Sequence, residues 1–488
     1  MSPPADALFP ALFPALAKGS ARPALRFGER SLSYAGLAAA AGSLAAGLGT
    51  ARRVAVWATP TPETAVAVVA ALLAGVPAVP LNPRAGEREL AHIVADSAPS
   101  AVLAAAGDSL PAPLRALPRT DVEVAVTGPV AAPPPEPAPG APALIVYTSG
   151  TTGPPKGAVL PRRAVSSTLD ALADAWRWTA DDVLVHALPL FHVHGLVLGI
   201  LGPLRRGGQV RHLGRFSTGG VARELARGGT MLFGVPTMYH RIAESVTAGD
   251  RELAQALAGA RLLVSGSAAL PVRDHERIAA ATGQRVVERY GMTETLMNTS
   301  VRAGAVPRPG TVGVPLRGVG LRLVDEAGEA VADPAEIGEI QVRGPNLFTG
   351  YLNRPDATAE AFTGDGWFRT GDMAVRDPDG WVRIVGRKAT DLIKSGGYKI
   401  GAGEIENALM EHPGVRDAAV TGEPDEDLGE RIVAWIVPAD PADPPGEREL
   451  ADHVAAQLAP HKRPRAVRLL SELPRNDMGK VTKRALGT

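Results

Sequence analysis

The sequence predicts an α/β protein, on three observations. Apolar segments of strand length alternate with helical patterns through most of the chain. From about Arg308-Pro309-Gly310 the texture changes to short β-like runs separated by turn dipeptides such as Asp379-Gly380. Beyond Lys388 the α/β alternation returns. The expected architecture is a large N-terminal domain (1–387) of βαβ subdomains with a β-rich, barrel-like subdomain, followed by a small C-terminal α/β domain (388–488).

Each element has a local reason. Val54–Trp57, Ala78–Leu81 and Ala101–Ala105 are short apolar runs bounded by turn residues, and Glu63–Leu73 and Glu87–Asp96 between them carry helical spacing; this rhythm implies parallel strands covered by helices. The proline-dense stretch 128–142 reads as a stiff surface linker. In the β-rich region, 320–324, 338–342 and 381–385 read as strands. In the C-terminal region, 403–412 and 447–458 read as helices and 418–421 and 432–437 as strands, with an exposed Pro/Asp-rich loop at 438–446.

Composition excludes several function classes. The 488 residues carry 51 basic and 51 acidic side chains, so bulk charge drives no attraction to nucleic acid or an acidic membrane. Cysteine is absent, which removes disulfides, thiol catalysis and Cys-ligated zinc. The longest apolar run, 65–81, is broken by Gly75, Pro77 and Pro80 and is too short to span a bilayer. The start Met1-Ser2-Pro3-Pro4 lacks the basic region of a secretory signal, so the cytoplasm is the expected compartment.

Five blocks carry chemistry. The first, Thr148-Ser149-Gly150-Thr151-Thr152-Gly153-Pro154-Pro155-Lys156-Gly157, follows the apolar Leu144–Tyr147. Glycines allow close approach to an anion, consecutive N–H groups form a nest, and hydroxyls and a lysine add donors. The spacing differs from the usual Gly-x-x-x-x-Gly-Lys-Ser/Thr phosphate loop. The second, Glu288-Arg289-Tyr290-Gly291-Met292-Thr293-Glu294, follows Val286-Val287 and so stands at the C-terminal end of a strand, where α/β sheets bind ligands. The third is Trp367-Phe368-Arg369-Thr370-Gly371-Asp372 with Gly386-Arg387 beyond it; a carboxylate there can accept both hydroxyls of a diol. The fourth is 391–400, with Gly396-Gly397 at its centre. The fifth is Leu473-Pro474-Arg475-Asn476-Asp477-Met478-Gly479-Lys480.

In order and spacing these blocks resemble the adenylate-forming superfamily of acyl-CoA synthetases, peptide-synthetase adenylation domains and beetle luciferases. The resemblance covers nearly the whole chain. It implies an ATP site formed by Thr148, Ser149, Gly150, Thr151, Thr152, Gly153, Lys156, Ser267, Ala268, Glu288, Tyr290, Asp372 and Arg387. Tyr290 packs on adenine, Thr293 meets the phosphate, Asp372 and Arg387 hold the ribose, and Glu294 carries Mg²⁺. It implies that Lys480 is the catalytic lysine, that His192 gates the acyl site, and that Lys394, Ser395, Gly396, Gly397 and Tyr398 receive CoA when the mobile C-terminal domain turns. The hinge departs from the pattern: Ala389 stands where the family has Asp or Lys.

The acyl pocket is expected among 235–242, Ser265, Gly266 and the segment 289–300 with Met297. Arg241 and Arg289 both point to it, and two guanidiniums suit a second carboxylate on the acid; a surface arginine and an Arg289 tied to Glu288 would be the bland alternative. The wording of 288–300 resembles malonyl-CoA synthetases in particular, with Leu296 leaving room for a C2-methyl. The expected activity is therefore ATP-dependent ligation of malonate, and of methylmalonate, to CoA through an acyl-adenylate. The rivals are carrier-protein loading, although no carrier-like segment follows Thr488, a luciferase-like monooxygenase, and a nucleotide sensor, which Glu294 and Lys480 together argue against. A lysine acetyltransferase acting on Lys480 is expected to suppress the first half-reaction.

Overall fold

The computed structural model describes residues 12–49, 51–126, 135–148, 154–334, 336–388, 391–475 and 479–486. Two large sheets make up most of the N-terminal region. The seven-stranded one runs in the order Gly350–Tyr351, Lys156–Pro161, Pro142–Thr148, Ala78–Leu81, Val54–Trp57, Ala101–Ala104, Arg119–Asp121. The nine-stranded one runs Val314–Pro315, Leu296–Ser300, Val286–Met292, Leu262–Ser265, Met231–Gly234, Val183–His186, Gln209–His212, Pro23–Phe27, Arg30–Ser33.

The central strands explain themselves. Val54–Trp57, Ala78–Leu81, Met231–Gly234 and Leu262–Ser265 are buried at every position, as strands of a parallel sheet covered on both faces must be. The helix Pro62–Leu73 is buried along almost its whole length. Its Ala and Val side chains are small enough for neighbouring layers to close on it from all sides. The β-rich region is a four-stranded antiparallel sheet, Gly320–Val324, Gly338–Arg343, Phe368–Arg376, Val382–Arg387, whose outer strands do not pair with each other among the described residues.

The strands from Leu392 onward form a separate five-stranded sheet. Two helices, Ala402–Glu411 and Glu447–Gln457, complete this unit. Its own core includes Ile393, Ile405, Leu409, Val420, Ile436, Leu450 and Val454.

The proline-dense stretch departs from a free linker where it is described. Glu136 pairs with the buried Arg162 and accepts the Leu12 N–H at 3.0 Å. Pro137 packs beside Gly75, where an added Cβ would lie 3.0 Å from the ring. Residues 127–134 lie outside the described residues. The sequence gives no strand signal at 156–161, yet this segment pairs antiparallel with Pro142–Thr148, Thr148 opposite Lys156.

A second hairpin, Val286–Met292 with Leu296–Ser300, carries the second motif, with a register shift between Tyr290 and Gly291. A Cβ on Gly291 would lie 1.8 Å from the Leu296 carbonyl oxygen, and Leu296 itself holds φ +50°. The two strands meet more closely than any side chain allows. Gly291→Ala is expected to force them apart and cost about 3 kcal/mol. Thermal unfolding checks this: the variant should melt several degrees lower, and an unchanged midpoint would refute the close-approach account.

Candidate active site

The Val286–Met292 strand sends successive side chains to opposite faces, so residues adjacent in sequence serve different sites. Glu288 is buried and both its oxygens are engaged inside the protein: one accepts the Leu270 N–H at 3.1 Å and the other lies 3.0 Å from His275 Nε2. It thereby anchors the end of the Ser265-Gly266-Ser267-Ala268 segment, in which Ala268 is exposed. The alternative tie between Arg289 and Glu288 is not formed among the described residues.

Tyr290 donates its hydroxyl to Asp372 Oδ2 at 2.5 Å, and Arg387 Nε lies 2.7 Å from Asp372 Oδ1. Asp372 itself is buried. Burial pushes its carboxyl up, while Arg387 and the tyrosine hydroxyl pull the other way. A carboxylate held by two donors from two strands is pre-oriented to accept hydroxyls of a ribose.

Thr293 and Glu294 form the buried tip of the hairpin. The Glu294 carboxylate accepts the Tyr351 hydroxyl at 2.9 Å, and Lys156 Nζ stands 5.2 Å from the centre of the Tyr351 ring. Tyr351 thus links the end of the first motif to the tip of the second, a contact the sequence did not signal. Burial raises the Glu294 carboxyl, so a cation beside it would be stabilising. Among the described residues no group of three His, Cys, Asp or Glu side chains could hold a metal alone. One carboxylate nonetheless fits Mg²⁺, which takes one or two carboxylates and completes its shell with phosphate oxygens and water. Ser149, Gly150, Thr151, Thr152 and Gly153 lie outside the described residues.

At the acyl pocket, Arg289 is 4% exposed and its Nε and Nη2 have no hydrogen-bond partner among the described residues. Burial alone pushes the guanidinium down to about 9, so it remains a cation at neutral pH. Gly266 makes the position possible: a Cβ there would lie 2.3 Å from Arg289 Cζ. Ser265 is fully buried and its hydroxyl is also unpartnered, and Met297 is buried on the neighbouring strand. His192 is partly buried, and burial together with Arg289 pushes it down to about 4, so it is a neutral imidazole. Arg241 stands on the exposed face of the Pro236–Thr247 helix with no ion-pair partner among the described residues.

The C-terminal unit brings Lys480 to this region. Its charge acts on Asp372 and on Asp391. The preceding Gly479, at φ +77°, abuts Thr237 at the start of the Pro236–Thr247 helix, with room for no Cβ beyond 3.0 Å from Thr237 Oγ1. Arg387 holds the junction: its N–H donates to Asp391 at 3.0 Å, and Asp391 pairs with Lys483, which also pairs with Glu406 at 2.7 Å. Ala389 lies outside the described residues. Gly396 and Gly397, at φ +58° and +81°, form the exposed turn of a hairpin. Within that hairpin Ser395 is buried and Lys394 lies 3.7 Å from Glu326. Tyr398 is 54% exposed and stacks on His461, ring centres 4.0 Å apart.

Comparison with known proteins agrees with this geometry. The model of the AMP-binding enzyme family matches residues 13–352, and that of the AMP-binding enzyme C-terminal domain matches 404–480. A malonate–CoA ligase of Arabidopsis thaliana is 40% identical over 71% of this chain and 60% of its own length. The chain thus spans about three fifths of the plant relatives it matches. A malonyl-CoA ligase solved as a ternary product complex with methylmalonyl-CoA and AMP is 75% identical, covering 95% of this chain and 100% of that one, at a TM-score of 0.75. ATP-bound MatB from Rhodopseudomonas palustris is 34% identical, with 98% of each chain covered and a TM-score of 0.89. With both family models matched in order, the first over more than half of its residues, the chain belongs to the AMP-binding enzyme family.

Proposed function

We propose that this protein is an AMP-forming acid–thiol ligase that joins malonate, and also methylmalonate, to CoA. The observation that carries the reading is Arg289. An unpaired guanidinium in a protein interior costs several kcal/mol unless an anion meets it. An acid bearing a second carboxylate supplies that anion; acetate, a fatty acid or benzoate does not. The malonyl-CoA ligase at 75% identity, solved with methylmalonyl-CoA and AMP, supports both acids.

The chemistry follows in two steps. A carboxylate oxygen of the acid attacks the α-phosphorus of ATP, forming the acyl-adenylate and releasing pyrophosphate. Asp372, with Tyr290 and Arg387, orients the ribose, while Lys156 and the first motif bind the phosphates. Lys480 places an ammonium beside the charge that develops on the α-phosphate. Mg²⁺, when bound with ATP at Glu294, neutralises phosphate charge. The CoA sulfur then attacks the acyl carbon as thiolate, the C–O bond to phosphate breaks, and AMP leaves with the electron pair.

The two steps need different groups at one place, and the C-terminal unit, taken here as 388–488, carries both. The higher overlap with an ATP-bound chain at 34% identity than with a product complex at 75% identity supports an arrangement for the first step in this structure. The second step would turn Gly396–Tyr398 inward and Lys480 away. Lys480 is solvent-accessible here, which suits the proposed acetyltransferase. No helix among the described residues is long and apolar enough to cross a membrane.

Release of AMP, dependent on both ATP and CoA, tests the reading across malonate, methylmalonate, succinate, acetate, a medium-chain fatty acid and benzoate. Malonate and methylmalonate should dominate, and Arg289→Ala should lower kcat/KM for malonate by roughly 100-fold. Arg241→Ala in parallel shows whether the exposed arginine joins in; it is expected to lower malonate turnover as well. Preference for a monocarboxylate, with both variants unaffected, would refute the dicarboxylate pocket.

The division of labour gives a second prediction. Lys480→Ala should slow adenylate formation by about 100-fold or more. The same variant should convert chemically prepared malonyl-adenylate and CoA to product at a near-normal rate. Equal loss in both half-reactions would overturn the assignment of Lys480 to the first.

A further inference from the structure

We propose that His194 binds the second carboxylate of the acid alongside Arg289, and that Ser267 sets the imidazole tautomer that allows it. The proposal rests on the dicarboxylate reading above and names the residue that completes the pocket.

Three segments meet here. His194 opens the His194–Leu201 segment, which runs as a π-helix, a form that often appears at functional sites. Its side chain is fully buried, and Nε2 has no hydrogen-bond partner among the described residues. Its Nδ1 lies 3.4 Å from Ser267 Oγ. Ser267 holds φ +76°, a conformation uncommon for a residue with a Cβ. Gly266, adjacent to it, lets the Arg289 guanidinium lie against the backbone. Four orphan polar atoms therefore gather around one loop: Arg289 Nε and Nη2, Ser265 Oγ and His194 Nε2. Buried polar atoms are ordinarily paired, so such a group marks a place where a ligand supplies the partners.

The chemistry at each atom is determinate. Burial, with Arg289 next, pushes His194 well below the ordinary histidine range, so the ring is neutral and carries one N–H. When the serine hydroxyl donates to Nδ1, the proton resides on Nε2, which then donates to a carboxylate oxygen. A protonated ring would add a second buried cation beside Arg289; a neutral donor adds a hydrogen bond without that repulsion. His192 is less suited, because its ring is partly exposed and its Nε2 is not among the buried orphan atoms. His186 has an orphan Nε2 as well, but Gly199 closes on its ring, where a Cβ would lie 2.7 Å from Cε1.

The test is malonate-dependent ATP–pyrophosphate exchange, run beside propionate, which replaces the second carboxylate by a methyl. His194→Ala should raise the malonate KM by about 30-fold. The ATP KM and the propionate rate should change by no more than about 3-fold. His194→Gln keeps an N–H donor and should recover most of the loss; Ser267→Ala should fall between. Arg289→Ala is measured in the same series. If it raises the malonate KM while His194→Ala does not, the role of His194 is refuted and the dicarboxylate reading stands. If Arg289→Ala has no effect, the dicarboxylate reading itself falls. Equal losses with malonate and propionate, or a raised ATP KM, would show that His194 only supports the fold. Should wild type turn over no propionate, the malonate KM against kcat and the ATP KM decide the matter alone.

Discussion

The register of one hairpin is the constraint on which the site depends. Along Val286–Met292, a single strand sends Glu288 to brace the Ser265–Ala268 segment, Arg289 to the acyl pocket and Tyr290 to Asp372, while its tip carries Thr293 and Glu294. A slip by one residue would exchange the faces and place a carboxylate where the pocket holds a guanidinium. The close contact between Gly291 and the Leu296 carbonyl fixes that register. Under the proposed function, phosphate, ribose and acid recognition are thus parts of one backbone geometry.

Electrostatics in this pocket runs against the usual rule for interiors. Most buried charges in the chain are matched, as Arg162 is by Glu136 and Arg205 by Asp170 at 2.7 Å. Arg289 has no ion-pair partner among the described residues, and the two imidazoles on which its charge acts are held uncharged. The surroundings neither cancel the charge nor add to it. Under the proposed function, such an arrangement sacrifices stability in the free protein and returns it as selectivity when an anion of the right length arrives, because an analogue lacking that anion leaves the cation unmet.

Much of this was legible in the sequence. The short buried strands, the alternating helices and the C-terminal unit follow from apolar run length and turn residues, and the motifs around Tyr290, Asp372 and Arg387 fall together in the fold. The parts that were not legible depend on pairing across distance. Glu288 as a partner for Arg289 was the bland alternative, yet strand alternation alone argues against it, since adjacent residues face opposite ways. That the segment around Glu136 is tethered to Arg162 requires knowing which helix lies nearby. Tyr351 belongs to a two-residue strand with no motif of its own, and only the fold shows it between Lys156 and Glu294. His194 sits two residues from His192 in a run where composition offers no ground for ranking them.

Arg387 has a mechanical meaning. Its side chain is fixed to Asp372, and its backbone donates to Asp391 beyond the junction. It is a fulcrum bolted at the ribose site. Lys483 clamps Asp391 and Glu406 together, so the terminal loop and the hairpin after the junction form one stiff arm. A twist of a few backbone angles beside Arg387 would then sweep Lys480 and the Gly396–Gly397 turn through wide arcs as a single lever, leaving the nucleotide pocket at rest. Under the proposed two-step function, the torque for exchanging one tool for the other is borne by the residue that also holds Asp372, so the grip on the nucleotide and the stroke of the arm are geared together.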